Sequence, residues 1–353
     1  MKILYIITGL GMGGAERVVC DLADQMILRG HQVKIVYLTG ESITKPKSNE
    51  IEVVYLGLNS AKDCVKASLK YRKLIAKFHP DIIHAHMVHA NIFARLNRIG
   101  VDVPKLICTA HNSNEGGKLR MLAYHYTNFL SDKNTNVSNE ATESLINKGA
   151  FNKHNVITVY NGVDLENFKH LTSDDCKKSN EKIFLSVGRF NQQKDYPNLL
   201  NSISIAKLDN VKYLIAGDGE LRQDIEKLTH KLSLENKVSL LGKRNDIPEL
   251  LNNADFFVLS SKHEGLPTVV IESMACGCFV IATDCGGTAE IMGDTGILVP
   301  PQDSQALAEA MQKAMSLRDE QIQENNIRAR KRVEELFSLE KSVERWLEIY
   351  QSE

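Results

Sequence analysis

The sequence predicts an α/β protein made of two doubly wound, Rossmann-like units in tandem. Three observations carry that reading. Short β-branched runs alternate with helix-period segments along the whole chain, the pattern of a parallel sheet covered by helices on both faces. The length, 353 residues, exceeds what one ordinary core serves. A polar stretch midway, HLTSDDCKKSNEK (170–182), interrupts the alternation and reads as a linker.

The elements follow in order. KILYII (2–7) is a short run, apolar after Lys2, as a buried parallel strand requires. A helix is predicted from about Ala15 to Arg29. There Ala15, Val18, Val19, Leu22, Ala23, Met26 and Ile27 share one face, and Gly30 stands where a helix ends on a left-handed residue. QVKIVYL (32–38), DIIHAH (81–86), KLICTA (105–110), NTNVS (134–138) and VITVY (156–160) continue the first series of strands. The second series is IFLSVG (183–188), KYLIAG (212–217), KVSLLG (237–242), DFFVLSS (255–261) and FVIATD (279–284). The last segment is helical in period and carries Trp346. The expected division is 1–168, a linker at 169–182, 183–335, and a terminal helix at 336–353.

Composition narrows the class. Hydrophobic residues make up 43% and charged residues 25%, a soluble globular mix without an apolar run long enough for a membrane span. The apolar start reads as a first strand and not as a signal peptide. Seven cysteines are scattered without a C-x-x-C pair, so reduced thiols are expected rather than disulfides or zinc. The formal charge of −1 conceals an asymmetry: residues 1–165 hold 20 Lys and Arg against 14 Asp and Glu, leaving the remainder acidic. A basic half suggests an anionic surface or substrate.

Open α/β sheets bind ligands beyond the carboxyl ends of their strands, and most unusual clusters here fall at such ends. Gly9-x-Gly11-x-x-Gly14, between a strand and a helix, satisfies the dinucleotide fingerprint. The acidic partner expected near the next strand's end is late, at Glu41, so an NAD enzyme stands only as an alternative. The safer inference is a glycine loop whose backbone N–H groups approach an anion, with Gly14 at the helix start. His84-x-His86 and His111 end two successive strands, without a carboxylate at metal-ligand spacing. Gly188-Arg189 and Lys194 lie on a glycine-led loop before a helix, from which both cations can reach one diphosphate. Glu264-Gly265-Leu266-Pro267 follows an apolar strand, and Glu272 comes eight residues on. The helix N-terminus welcomes phosphate or sugar oxygens, and the two carboxylates suit the hydroxyls of a sugar and a ribose better than proton transfer.

Glu264-Gly265-Leu266-Pro267…Glu272 together with Gly188-Arg189…Lys194 resembles the retaining nucleotide-sugar glycosyltransferases of family 4, which have the two-domain GT-B fold. Val159-Tyr160-Asn161-Gly162-Val163-Asp164, Ala216-Gly217-Asp218-Gly219, Gly286-Gly287…Glu290 and Gly296-Ile297-Leu298-Val299 extend the match. The chain departs from the family at Phe279, where proline is usual. The resemblance implies two Rossmann-like domains facing a central cleft, with the last helix returning to the first domain. It implies Arg189 and Lys194 on the donor diphosphate, Glu272 on the ribose, and Glu264 with Gly265, Leu266 and Pro267 on the transferred sugar. It places Leu241-Gly242-Lys243 at the base, His111 near the sugar and β-phosphate, and Gly14 near the phosphates. Related members build O-antigen, capsule or lipid-linked oligosaccharides.

The expected reaction moves a hexose or N-acetylhexosamine, from a UDP-sugar before GDP-mannose, to a polyprenyl-diphosphate-linked sugar. Neither a metal nor a cofactor is expected, and no nucleic-acid partner. A non-catalytic nucleotide-sugar-binding module is the other alternative. Two segments suit an anionic membrane: KASLKYRKLIAKFH (66–79) and KLRMLAYHYTNFL (118–130) mix cations with apolar and aromatic residues. Peripheral association with the inner face of the cytoplasmic membrane is the expectation they carry.

Overall fold

The computed structural model describes residues 1–101, 103, 105–113, 115–171 and 181–352. These form two compact units, Met1–Gly162 with Leu339–Glu353, and Val163–Ser338. The expected linker falls mostly outside the described residues.

The first unit is a seven-stranded sheet. Its strands are β1 (Lys2–Ile7), β2 (Gln32–Tyr37), β3 (Glu52–Tyr55), β4 (Ile82–His86), β5 (Lys105–Ala110), β6 (Lys133–Asn136) and β7 (Val156–Thr158). All pairs are parallel, in the order β3-β2-β1-β4-β5-β6-β7. Helices α1 (Gly14–Leu28), α2 (Cys64–Phe78), α3 (Val88–Arg98), α4 (Lys118–Thr127) and α5 (Asn139–Asn147) make the crossovers. β1 is central, so both of its faces are buried and its run is continuously apolar. The α1 stripe behaves as its period requires: Val19, Leu22, Ala23 and Met26 enter the core and Gly30 adopts φ +78. β3, EVVY, went unread because four residues beside a polar loop carry too little pattern.

The second unit is a six-stranded parallel sheet ordered β10-β9-β8-β11-β12-β13. Its strands are β8 (Lys182–Val187), β9 (Val211–Ala216), β10 (Val238–Gly242), β11 (Phe256–Leu259), β12 (Phe279–Thr283) and β13 (Ile297–Val299). Helices α6 (Tyr196–Ala206), α7 (Arg222–Lys231), α8 (Ile247–Asn252), α9 (Thr268–Ala275), α10 (Thr288–Met292), α11 (Ser304–Met315) and α12 (Asp319–Leu336) surround it. Phe184 stacks on Tyr213 and Phe256 in its core, and Phe279 meets Phe256 edge-on. Phe279 donates its backbone N–H to Asp255 O at 3.2 Å, a bond that a proline there could not make.

The division falls at 162/163 and not at 168/169, because residues 163–171 are fastened to the second unit. Val163 bonds to Phe337 O, Arg330 holds Phe168 O, and Leu171 bonds to Asn252. The chain leaves that unit only at α13 (Leu339–Gln351), which belongs to the first. There Val343, Trp346 and Tyr350 are buried beside α1 and β1, so Trp346 is a core residue.

Candidate functional site

Each sheet has the doubly wound order, so each has a point where successive connections depart to opposite sides. A crevice opens there beyond the strand ends. In the second unit that point lies between β8 and β11, and both loops carry the expected residues. After β8 come Gly188 and Arg189, which is exposed, and then Phe190, wholly buried. Phe190 anchors the loop: its N–H donates to Asp218 O and its carbonyl receives Leu221 N–H. Arg189 is thereby held at the sheet edge with its side chain in solvent.

Lys194 is brought to Glu264. Their Nζ and Oε1 are 2.6 Å apart, and Glu264 is 6% exposed. Ser261 Oγ donates to the same Oε1 at 2.6 Å, and Gln193 Nε2 approaches Oε2 at 3.5 Å. Ser260 Oγ fixes the Lys194 carbonyl. The pair is therefore a largely buried, hydrogen-bonded ion pair of zero net charge, whereas Arg189 forms no ion pair among the described residues. Gln193 and Ser260 were not singled out from the sequence because each matters through a partner some 70 positions away, and Ser261, three residues before Glu264, because a hydroxyl side chain carries no local signature.

Gly265, Leu266 and Pro267 are buried, and Pro267 leads α9 in extended geometry. Glu272 is half-buried one turn into that helix. Leu241-Gly242-Lys243 ends β10, where the pairing slips between Leu240 and Gly242, and Gly242 O receives the Gly217 N–H. All these loops stand at the carboxyl edge of one sheet. Two glycines explain how closely they approach. A Cβ on Gly217, at φ +156, would lie 1.9 Å from Gly188 O. One on Gly286, at φ +57, would lie 2.3 Å from Glu264 O. Their motifs thus seat the Arg189 and Glu264 loops.

In the first unit the switch lies between β1 and β4. The Gly9–Gly14 loop precedes α1, which starts at Gly14. The segment after β2 lies across this loop: Ile43 and Thr44 donate to Leu10 O, and Thr44 Oγ1 to Gly11 O. Of the three histidines expected at one rim, the structure separates the roles. His84 is a core residue, bonded to Tyr350 OH and Thr109 Oγ1, each at 2.7 Å. His86 is buried beneath His111, with Nδ1 and Nε2 3.0 Å apart. Only His111 reaches the half-buried edge. Its backbone N–H donates to Glu115, whose carboxyl burial raises above the usual range; Glu115, in a polar loop, carries no signal in the sequence.

Burial lowers all three histidines below the ordinary range, His111 to about 4. The unfolded chain takes up these protons near 6.5, so below that pH it binds more protons than the native state. Stability present above 6.5 is thus lost as pH falls toward 4. Melting temperature should drop across this window, and less steeply in His111→Gln; equal slopes would remove His111 from the acid response.

The two basic segments each bury one stripe and expose other apolar residues. The apolar stripe of α2 is in the core through Ala67, Tyr71, Ile75 and Phe78, and its solvated cationic face keeps Val65 (71%) and Leu69 (65%) exposed. α4 buries Met121 and Tyr124, and with the turn after it exposes Leu119 (83%), Tyr126 (70%) and Phe129 (79%). Beside them is a groove of about 670 Å³ lined by Lys118, Met121, Leu122, His125, Tyr126 and Lys148. Among the described residues no helix is long and apolar enough to cross a membrane.

Two family models match this chain. The model "Glycosyltransferase Family 4" matches residues 12–167, and "Glycosyl transferases group 1" matches 171–333. The chain is 28% identical, over 88% of its length and 89% of the relative's, to a Campylobacter jejuni N-acetylgalactosamine-N,N'-diacetylbacillosaminyl-diphospho-undecaprenol 4-alpha-N-acetylgalactosaminyltransferase. It is 27% identical, over 81% of itself and 79% of the relative, to an Escherichia coli UDP-Gal:alpha-D-GlcNAc-diphosphoundecaprenol alpha-1,3-galactosyltransferase. A solved glycosyltransferase from Rickettsia africae superposes with TM-score 0.87 at 23% identity, covering 99% of this chain and 97% of that one.

Proposed function

The chain belongs to the family 4 glycosyltransferases of GT-B fold, and on that premise we propose that it moves a hexose or N-acetylhexosamine from a UDP-sugar to a polyprenyl-diphosphate-linked sugar, with retention and without a metal. The observation that carries the reading is the second unit's carboxyl edge, where exposed Arg189, the Lys194–Glu264 pair and the α9 N-terminus meet at one switch point. Departure of a nucleoside diphosphate puts growing negative charge on the β-phosphate. Fixed cations and backbone N–H groups there stabilise charge that develops only in the transition state. An ammonium has three donors, so Lys194 can hold Glu264 and still offer an N–H to a phosphate oxygen. Glu264, with Gly265, Leu266 and Pro267, receives the transferred sugar. Glu272 holds the ribose hydroxyls, and Leu241-Gly242-Lys243 receives the base. In the first unit, Gly14 approaches the phosphates and His111 contacts the sugar and β-phosphate. A front-face path, with the leaving phosphate taking the acceptor's proton, suits an edge whose carboxylate is already tied to a lysine.

The relatives' names support a UDP donor and a lipid diphosphate acceptor. Incubation of the protein with UDP-, GDP- and ADP-sugars and a polyprenyl-diphosphate-GlcNAc acceptor, in excess EDTA, tests the reading. Transfer from a UDP-sugar that persists in EDTA is expected. Loss in EDTA with rescue by Mn²⁺ or Mg²⁺ would refute metal independence. Binding without hydrolysis or transfer would favour a non-catalytic module, and stabilisation by NAD alone a dehydrogenase.

A lipid acceptor requires access to a membrane surface, and the face of α4 supplies apolar anchors beside cations. The protein should co-sediment with vesicles containing anionic lipid at low salt and be released by high salt. Changing Leu119, Tyr126 and Phe129 together to Ser should weaken binding by roughly 10²-fold, at about 1 kcal/mol or more for each buried side chain. Unchanged sedimentation of the triple variant would move membrane contact elsewhere.

A further inference from the structure

The histidine pair at the first sheet's edge has a proton arrangement that its surroundings decide. His86 is 1% exposed, and its Nδ1 lies 3.0 Å from His111 Nε2. Its other ring nitrogen, Nε2, is buried without a hydrogen-bond partner. Around it pack the His84 ring at 3.9 Å and the Tyr5 ring at 5.9 Å. His84 is itself committed at both nitrogens to Tyr350 and Thr109, and Trp346 covers its face. The carboxylate beside the pair, Glu115, is engaged by the backbone N–H of His111. Burial and the neighbouring imidazoles keep His86 uncharged.

Two neutral arrangements close the His86–His111 contact. In one, His86 donates from Nδ1 and His111 accepts at Nε2. In the other, His111 donates from Nε2 and the second proton of the pair sits on His86 Nε2. That second arrangement buries an N–H with nothing to accept it, whereas the first leaves only an unshared lone pair. Buried N–H groups without acceptors are the rarer defect in folded proteins, because the full desolvation of the donor is uncompensated. We infer that His86 donates to His111 Nε2 and so holds His111 in the tautomer protonated at Nδ1, making His86 the positioning residue that turns His111 into a hydrogen-bond donor.

The consequence concerns what His111 does for the reaction. With Nε2 accepting from His86, the remaining nitrogen carries a proton, so His111 donates to an oxygen of the substrate and does not act as a base. This consequence rests on His111 meeting substrate in the proposed reaction. The tautomer does not.

Nitrogen-15 labelling of the histidines in the full chain reads the tautomer directly at neutral pH, with His111→Gln to assign the signal. The expected spectrum has His111 Nδ1 bearing the proton and Nε2 bare; the reverse pattern overturns the inference whatever the activity. His86→Leu should release His111 to the Nε2-protonated form and lower kcat about tenfold or more, with donor KM within about threefold. His86→Asn, whose amide N–H stands where Nδ1–H stood, should restore the Nδ1-protonated signal and most of the lost kcat. His86→Asp, an acceptor in that place, should reverse the tautomer. An unchanged His111 signal in both His86→Leu and His86→Asp would overturn the positioning role. If His111→Ala transfers sugar at the wild-type rate, the catalytic reading of His111 fails while the spectrum still decides the tautomer.

Discussion

Arg189→Ala and Lys194→Ala should each lower kcat/KM by roughly 10²-fold or more, about 3 kcal/mol of transition-state stabilisation, yet differ in what they do to folding. Arg189 is exposed and makes no ion pair among the described residues, so its removal should leave the melting temperature near wild type. Lys194 neutralises Glu264, which is 6% exposed. Removing the lysine alone strands a buried carboxylate, and breaking such a pair costs about 3–5 kcal/mol. Lys194→Ala should therefore melt well below Arg189→Ala. The double variant Lys194→Met with Glu264→Gln should regain stability and remain inactive, because it removes the buried charge without restoring a cation. Thermal melting and steady-state kinetics on the four proteins decide the matter. Near-wild-type transfer by either single alanine variant would remove that residue from the mechanism.

Gly217→Ala is expected to have the second large effect, although Gly217 touches no substrate in the proposed reaction. The new methyl group would stand 1.9 Å from Gly188 O, at a φ of +156 that L residues rarely adopt. The β8 loop must move, and Arg189 moves with it. A stability loss of about 3 kcal/mol or more and a fall in kcat/KM of about 10²-fold should accompany each other. Gly149→Ala is the control. It has φ +69 with nothing within 4 Å of the added atom, so it carries backbone strain alone, about 1 kcal/mol. Equal melting temperatures for the two variants would show that the close approach of these loops is not what seats the site.

The sequence by itself determined the alternation of strand and helix, both doubly wound series, and the positions of the cations and carboxylates at strand ends. These are local properties. A buried parallel strand must be apolar throughout, an amphipathic helix must repeat every three to four residues, and a glycine-led loop is visible without knowing its neighbours. The α1 stripe and the series from IFLSVG to FVIATD needed nothing more. Short elements escaped for the same reason: EVVY and ILV hold too few residues to show a period.

What only the tertiary structure decided depends on partners far apart in sequence. The sequence offers Lys194 and Glu264 as two ligand contacts, and packing makes them one buried pair with Ser261 as third member. Three histidines at two strand ends look equivalent in sequence, yet Tyr350, 266 positions beyond His84, turns His84 into a satisfied core residue. His86 is left with a buried nitrogen and His111 with the edge. The α2 and α4 segments carry similar mixtures of cations and apolar residues. The core takes one stripe from each, Tyr71 and Ile75 from α2 and Met121 and Tyr124 from α4, and leaves Leu69 of the first and Leu119, Tyr126 and Phe129 of the second segment outside. Composition sets which side chains can be buried. The three-dimensional competition for core volume and hydrogen-bond partners sets which of them are.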